Sequence, residues 1–172
     1  MRINALQALG LAITSIVAAT GCAALPTSNH RSVTRPAAEV LVVGATTVRF
    51  DIAGATVTAG TVSIGMNVTS VARGENVLQV DAGPVRRADG NARRHIGDGV
   101  TEWWRRGARG LEHGLDLVDR PAGAGPLFVD LRVTHATVRG SADGVVFLDA
   151  ASQVVGSYTH LAVIDARGER LP

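Results

Sequence analysis

From Thr61 to Val71 the chain reads TVSIGMNVTSV. Val62, Ile64, Met66 and Val68 fall on one side of an extended backbone. Thr61, Ser63, Gly65, Asn67 and Thr69 fall on the other. That two-residue period predicts a half-buried β-strand. The same alternation sets Val48, Phe50 and Ile52 against Thr47, Arg49 and Asp51. It also sets Leu127, Val129, Leu131 and Val133 against Phe128, Asp130, Arg132 and Thr134. Val145 to Leu148 and Leu161 to Ile164 are short unbroken apolar runs, suited to central strands. Turn pairs separate the runs: Ala53-Gly54, Arg73-Gly74, Gly83-Pro84, Asp89-Gly90, Asp98-Gly99, Gly125-Pro126, Asp143-Gly144 and Arg167-Gly168. Short strands with regular punctuation predict an all-β domain over residues 37–172. Its expected form is an antiparallel β-sandwich, with an incomplete or barrel-like sheet as the variant. No long stretch carries helical spacing, and 20 glycines oppose a helical domain.

The N-terminal pattern is different. Ala5 to Thr20, ALQALGLAITSIVAAT, is apolar but broken by Gln7, Thr14 and Ser15. It is shorter than the roughly 20 residues a spanning helix needs, and it fits the apolar region of a secretory signal peptide. AATGC follows, with small residues directly before Cys22, the only cysteine. This resembles the lipobox of bacterial lipoproteins, with Ala19 where Leu is commoner. The resemblance implies a signal peptide over 1–21, cleavage before Cys22, and lipid (palmitate among it) on the Cys22 sulfur. Several acyl chains, at about 0.8 kcal/mol per buried methylene, hold such a protein stably on a membrane. Ala23 stands where an Asp would favour inner-membrane retention, so an outer-membrane address is expected in a Gram-negative host. A plain secreted or periplasmic protein is the second reading, and an uncleaved anchor the third. A lone cysteine makes no internal disulfide. Residues 22–36, with two prolines and many small polar residues, read as the lipidated Cys and a flexible tether.

The stretch TEWWRRGARGLEHGLDLVDRP, Thr101 to Pro121, carries the candidate chemistry. If Gly110 to Val118 is a strand, Leu111, His113, Leu115 and Leu117 share a face, and Glu112 and Asp116 lie on the other. Glu112 and His113 then diverge and form no acid–base pair. Trp103 and Trp104 diverge likewise, so the two cannot line one flat surface. They are the candidate ligand-binding residues if one is exposed; otherwise one enters the core. A short helix through Thr101 to Arg106 would undo this reading, but the following glycines stop it early.

Composition narrows the function. The 17 basic residues are all Arg, against 15 acidic ones, and they are scattered. With 3% aromatics, a nucleic-acid surface is not expected. The five histidines show no ligand spacing, so neither a metal site nor a cofactor is expected. The glycine-containing turns lack the acidic series of a calcium loop. There is no phosphate loop and no Gly-x-Ser-x-Gly elbow.

Several short matches lie after the tether: Glu102-Trp103-Trp104, Gly110-Leu111-Glu112-His113-Gly114-Leu115, Arg120-Pro121 and Gly125-Pro126-Leu127. Asp149-Ala150, Tyr158, Leu161, Asp165-Ala166 and Leu171-Pro172 continue the series. They resemble a β-rich module that precedes FG-GAP repeats, the integrin-alpha-like propeller blades, in large secreted bacterial proteins. His113 stands where that module tends to have Gln, and Leu115 where it has an aromatic. The chain stops where the longer relatives continue into further strands and the propeller. The resemblance implies a surface-associated β-module and carries no catalytic residues with it. The expectation is a non-enzymatic envelope lipoprotein, structural or adhesive, with no convergent polar cluster. A glycan or small-ligand binder using an exposed tryptophan is the alternative, and a hydrolase the third.

Overall fold

A computed structural model describes residues 2–5, 9–14, 39–51, 54–81, 83–97, 99–108 and 110–170, the first two stretches through their backbone pairing. The fold is all-β, with no helix among the described residues. The strands are β1 (Arg2–Ala5), β2 (Leu9–Thr14), β3 (Glu39–Val43), β4 (Thr46–Asp51), β5 (Gly54–Ala59), β6 (Val62–Arg73) and β7 (Asn76–Gln79). There follow β8 (Val85–Ala88), β9 (Asn91–His95), β10 (Val100–Gly107), β11 (Gly110–Leu117), β12 (Leu127–Thr134), β13 (Thr137–Ser141), β14 (Gly144–Leu148) and β15 (Val154–Val163). Ile52 and Ala53 of the expected second strand and its turn lie outside the described residues, as do Cys22 and the tether.

Two antiparallel sheets form. One runs β1-β12-β6-β5-β4-β3, with β7 also on β6; the other runs β13-β14-β15-β2-β11-β10-β9-β8. Neither closes into a barrel. β3 to β7 and β8 to β11 are consecutive meanders, β12 returns to the first sheet beside β6, and β13 to β15 return to the second. Buried side chains from both sheets, such as Val48, Val57, Ile64 and Val129 against Trp104, Leu115 and Phe147, make one core. This is the sandwich that the alternation predicts.

The longest strand shows how a break in the pattern becomes geometry. Ile64, Met66 and Val68 are buried, but the next core residue is Val71, three positions on. The register between β6 and β12 slips at this point, between Asp130 and Leu131, leaving Thr69 as the extra residue of a bulge. Thr69 Oγ1 donates to the Asp130 carbonyl at 3.1 Å, and Ser70 Oγ donates to the Asp130 carboxylate at 2.7 Å. Asp89-Gly90 joins β8 to β9 as a two-residue turn with both φ positive, 51° and 74°, the form that such a hairpin favours.

β1 and β2 come from the stretch that reads as a signal peptide. β1 pairs with β12 at the border of the first sheet. β2 lies inside the second, antiparallel to both β11 and β15. An apolar run of six residues suits a buried strand as well as a leader, because periodicity alone does not separate the two.

Candidate functional site

β9, β10 and β11 form a continuous ladder. The two-residue connection between Gly107 and Gly110 sets Trp104 opposite His113 and Glu102 opposite Leu115, while Arg94 on β9 lies opposite Glu102. Partners across a ladder share a face. Arg94, Glu102, Trp104, Leu111, His113 and Leu115 therefore all project into the sandwich, where they are buried. Glu112 projects outward, where its carboxylate meets the Arg105 Nε at 2.6 Å. The expected divergence of Glu112 and His113 holds.

The expected absence of a convergent polar cluster does not hold. Glu102, on the neighbouring strand, takes the place that Glu112 cannot. Its Oε1 lies 2.9 Å from His113 Nε2, and its other oxygen accepts from Arg94 Nε. On the far side, His113 Nδ1 lies 2.9 Å from the Tyr158 hydroxyl of β15. In the neutral ring with its proton on Nε2, Nδ1 accepts from Tyr158; in the protonated ring both nitrogens donate. Arg94 Nη1 also donates to the Asp51 carbonyl at 3.3 Å, tying the quartet to the opposite sheet. Trp104 stacks on the imidazole at 4.1 Å between centroids and meets Phe50 of the other sheet edge-on at 6.2 Å.

The quartet is sealed: Arg94 is 2%, Glu102 1%, His113 2% and Tyr158 3% exposed. Burial pushes the Glu102 carboxyl up. The His113 hydrogen bond and charge, then the Arg94 charge and hydrogen bond, outweigh it and hold the group below the ordinary carboxylate range. Burial, then the Glu102 charge, pushes the Tyr158 hydroxyl well above its ordinary value. Arg94 Nη2 and Trp104 Nε1 have no hydrogen-bond partner in this core.

Neither tryptophan is exposed. Trp104 is 1% and Trp103 8% exposed. Trp103 lies on the outer face, where its indole N–H donates to Asp116 at 2.9 Å and the Arg105 guanidinium sits 4.8 Å above the ring. Arg93 reaches the same Asp116 carboxylate at 3.6 Å. A charged lattice thus covers the side chain that an exposed aromatic platform requires.

A cleft of about 370 Å³ near the β8–β9 edge is lined by Pro84, Arg86, Arg93, His95 and Thr101 among others. His95 Nδ1 is 3.1 Å from Thr101 Oγ1. Arg94 is the one residue shared between this cleft and the quartet, and its side chain is turned into the core. No group of three metal-ligating side chains occurs among the described residues.

Three members of the quartet, Glu102, His113 and Tyr158, lie in the short stretches singled out in the sequence; Arg94 does not. The sequence signal for Glu102 is the hairpin. Centring its turn on Ala108-Arg109 places residues 102 and 104 on the face of 113 and 115. Tyr158 and Arg94 arrive from strands whose pairing has no such local mark. Comparison with known protein families, curated proteins and solved structures finds no match to this chain.

Proposed function

We propose that this chain is a non-catalytic β-sandwich module, held at the cell envelope through lipid on Cys22, that serves a structural or adhesive role. The observation that carries the non-catalytic part is the sealing of the quartet. A general acid or base must come within hydrogen-bond reach of substrate. With Leu9–Thr14 paired in the sheet, Glu102, His113 and Tyr158 are buried and their polar atoms are taken up by one another and by Arg94. A buried His held at both nitrogens, stacked on an indole and balanced against an Arg–Glu pair, fixes the packing of two sheets. The address rests on the sequence: an apolar run of leader length, small residues before Cys22, and a polar tether before the first strand of the main meander.

Intact-mass analysis of membrane and soluble fractions tests the anchor. The wild-type chain is expected in the membrane fraction, without residues 1–21 and with diacylglyceryl and acyl mass on Cys22. The Cys22→Ala chain is expected to lose that mass and the membrane association. A wild-type chain that keeps its first 21 residues, or lacks lipid, refutes the anchor. Turnover of ester, peptide or glycoside substrates that His113→Ala abolishes and Cys22→Ala leaves intact refutes the non-catalytic reading.

A further inference from the structure

The second sheet is built from two blocks that do not pair with each other. β8 to β11 form one and β13 to β15 the other, and β2 alone lies between them. β11 pairs with β2 over six positions, Gly110↔Thr14 to Leu115↔Leu9. β15 pairs with it at Thr159↔Ala12, Ala162↔Gly10 and Val163↔Leu9, on either side of a bulge. Both walls are antiparallel to β2, so they run parallel to each other and stand about two strand spacings, ~9.5 Å, apart. Beneath the gap the floor is already made: His113 and Tyr158 join hands across it at 2.9 Å, beside Leu111, Leu115 and Val163. The centre of the gap is a row of small residues, with Gly10 opposite Gly114 on one side and Ala162 on the other.

We propose that the gap between β11 and β15 is a strand-acceptor slot. It takes the chain's own Leu9–Thr14 before processing, and an extended apolar strand of a second polypeptide afterwards. This rests on the proposed removal of residues 1–21. Cleavage before Cys22 takes away β1 and β2 together. The loss of β1 uncovers only the border of the first sheet. The loss of β2 leaves two facing strand edges, each with a row of unpaired N–H and C=O groups over the floor of His113, Tyr158 and their apolar neighbours, and a strand is the only element that satisfies both at once. The occupant seen here, LGLAIT, defines the chemistry that fits: about six residues, extended, uncharged, without proline, and small at the position between Gly114 and Ala162. The tether does not meet that description, since AALPTSNHRSVTRP carries two prolines and two arginines. The incoming strand is therefore supplied in trans, by strand addition.

Two measurements test this. In the unprocessed full chain carrying Cys22→Ala, the pair Ala12→Cys and Thr159→Cys is expected to oxidise to a disulfide, because these positions are register partners. The pair Ala12→Cys and Ser141→Cys is expected not to. In the processed, lipidated protein, a synthetic peptide spanning Gln7 to Ser15 is expected to bind saturably at one per chain. It should also slow amide exchange in β11 and β15 at least tenfold. The same peptide with Leu11→Pro is expected not to bind. Failure of the first disulfide overturns the slot. Edge amides of β11 and β15 already protected in the peptide-free monomer, or equal binding of both peptides, overturn the second occupant. Protection accompanied by a dimer mass also overturns the second occupant, since a processed copy has lost Leu9–Thr14 and its tether does not fit the slot. If intact mass shows that residues 1–21 are retained, the anchor reading fails and the disulfide pair alone decides the slot.

Discussion

Glu102 is the residue on which the core turns. Its carboxylate answers two buried cationic or proton-bearing groups, so removing it leaves the Arg94 guanidinium uncompensated. Glu102→Ala is expected to cost about 3–5 kcal/mol in urea unfolding, as for other buried pairs broken on one side. The sign of the pH dependence follows from its lowered folded-state value. Stability from Glu102 is fully present above the ordinary carboxylate range and is lost as pH falls from there through the folded value. Glu102→Gln should flatten that acid limb. Tyr158 acts at the other end. Its hydroxyl is raised, so its contribution is complete below about pH 10 and fades as pH climbs toward the folded value. A Tyr158→Phe chain should lose this alkaline limb in the same unfolding series. His113→Gln offers a sharper test of what the imidazole does. An amide can donate to Glu102 and accept from Tyr158. The Gln variant is expected to lie within about 1.5 kcal/mol of wild type. His113→Leu, which strands two partners, should cost about 3 kcal/mol or more.

At the scale of elements, two turns built alike give an internal comparison. Asp149 Oδ1 accepts from the N–H groups of Ala151 and Gln153, and Asp165 Oδ1 from those of Arg167 and Glu169. Ser152 N donates to the Asp149 carbonyl as Gly168 N does to that of Asp165. The fourth residue is left-handed in both, at φ 60° for Ser152 and 83° for Gly168. Glycine takes that conformation without the penalty of about 1–2 kcal/mol that a side chain incurs. Ser152→Gly is therefore expected to raise stability by about 1 kcal/mol, read as a higher thermal midpoint. Gly144 predicts the reverse. It sits at φ 149°, and a Cβ there would stand 2.2 Å from the Tyr158 carbonyl oxygen, so Gly144→Ala should disturb the β14–β15 ladder and lower the midpoint. The alternating strands were legible in the sequence because each carries its own face in a period of two. The bulge at Thr69 was not, since it is set by the register against β12. The Asp-Ala pairs were visible as motifs, but their work as turn-formers is a matter of backbone conformation.

For the whole molecule, the sandwich could be read from the alternation of strands and turns, whereas the order of its strands could not. The quartet needs that order. It draws on β9, β10 and β11, which are neighbours in sequence, and on β15, which is not. Only the hairpin half was within reach of a local reading, and that half would have found Glu102 beside His113. The fourth partner depends on how the second sheet is assembled around its central strand. The crossing from β11 back to the first sheet is fixed by a buried cation that no motif marks. Arg73 Nε donates to the Gly125 carbonyl at 3.0 Å and its Nη1 to that of Pro121 at 3.1 Å, with Asn76 holding Ala122. Arg73→Met keeps the length and apolar stem but strands those carbonyls. It is expected to speed amide exchange through residues 119–126 while leaving β3 to β5 unchanged.

β3 is only five residues long and has one neighbour, β4, among the described residues. Under the proposed anchor at Cys22, a load from a lipid bilayer would reach this strand first, and a border strand unzips bond by bond where an interior one shears all at once. Leu41 and Val43 would then leave the core ahead of everything else. Drawn from residue 37 in an optical trap, the chain is expected to yield a short initial step of that size before the remainder gives way.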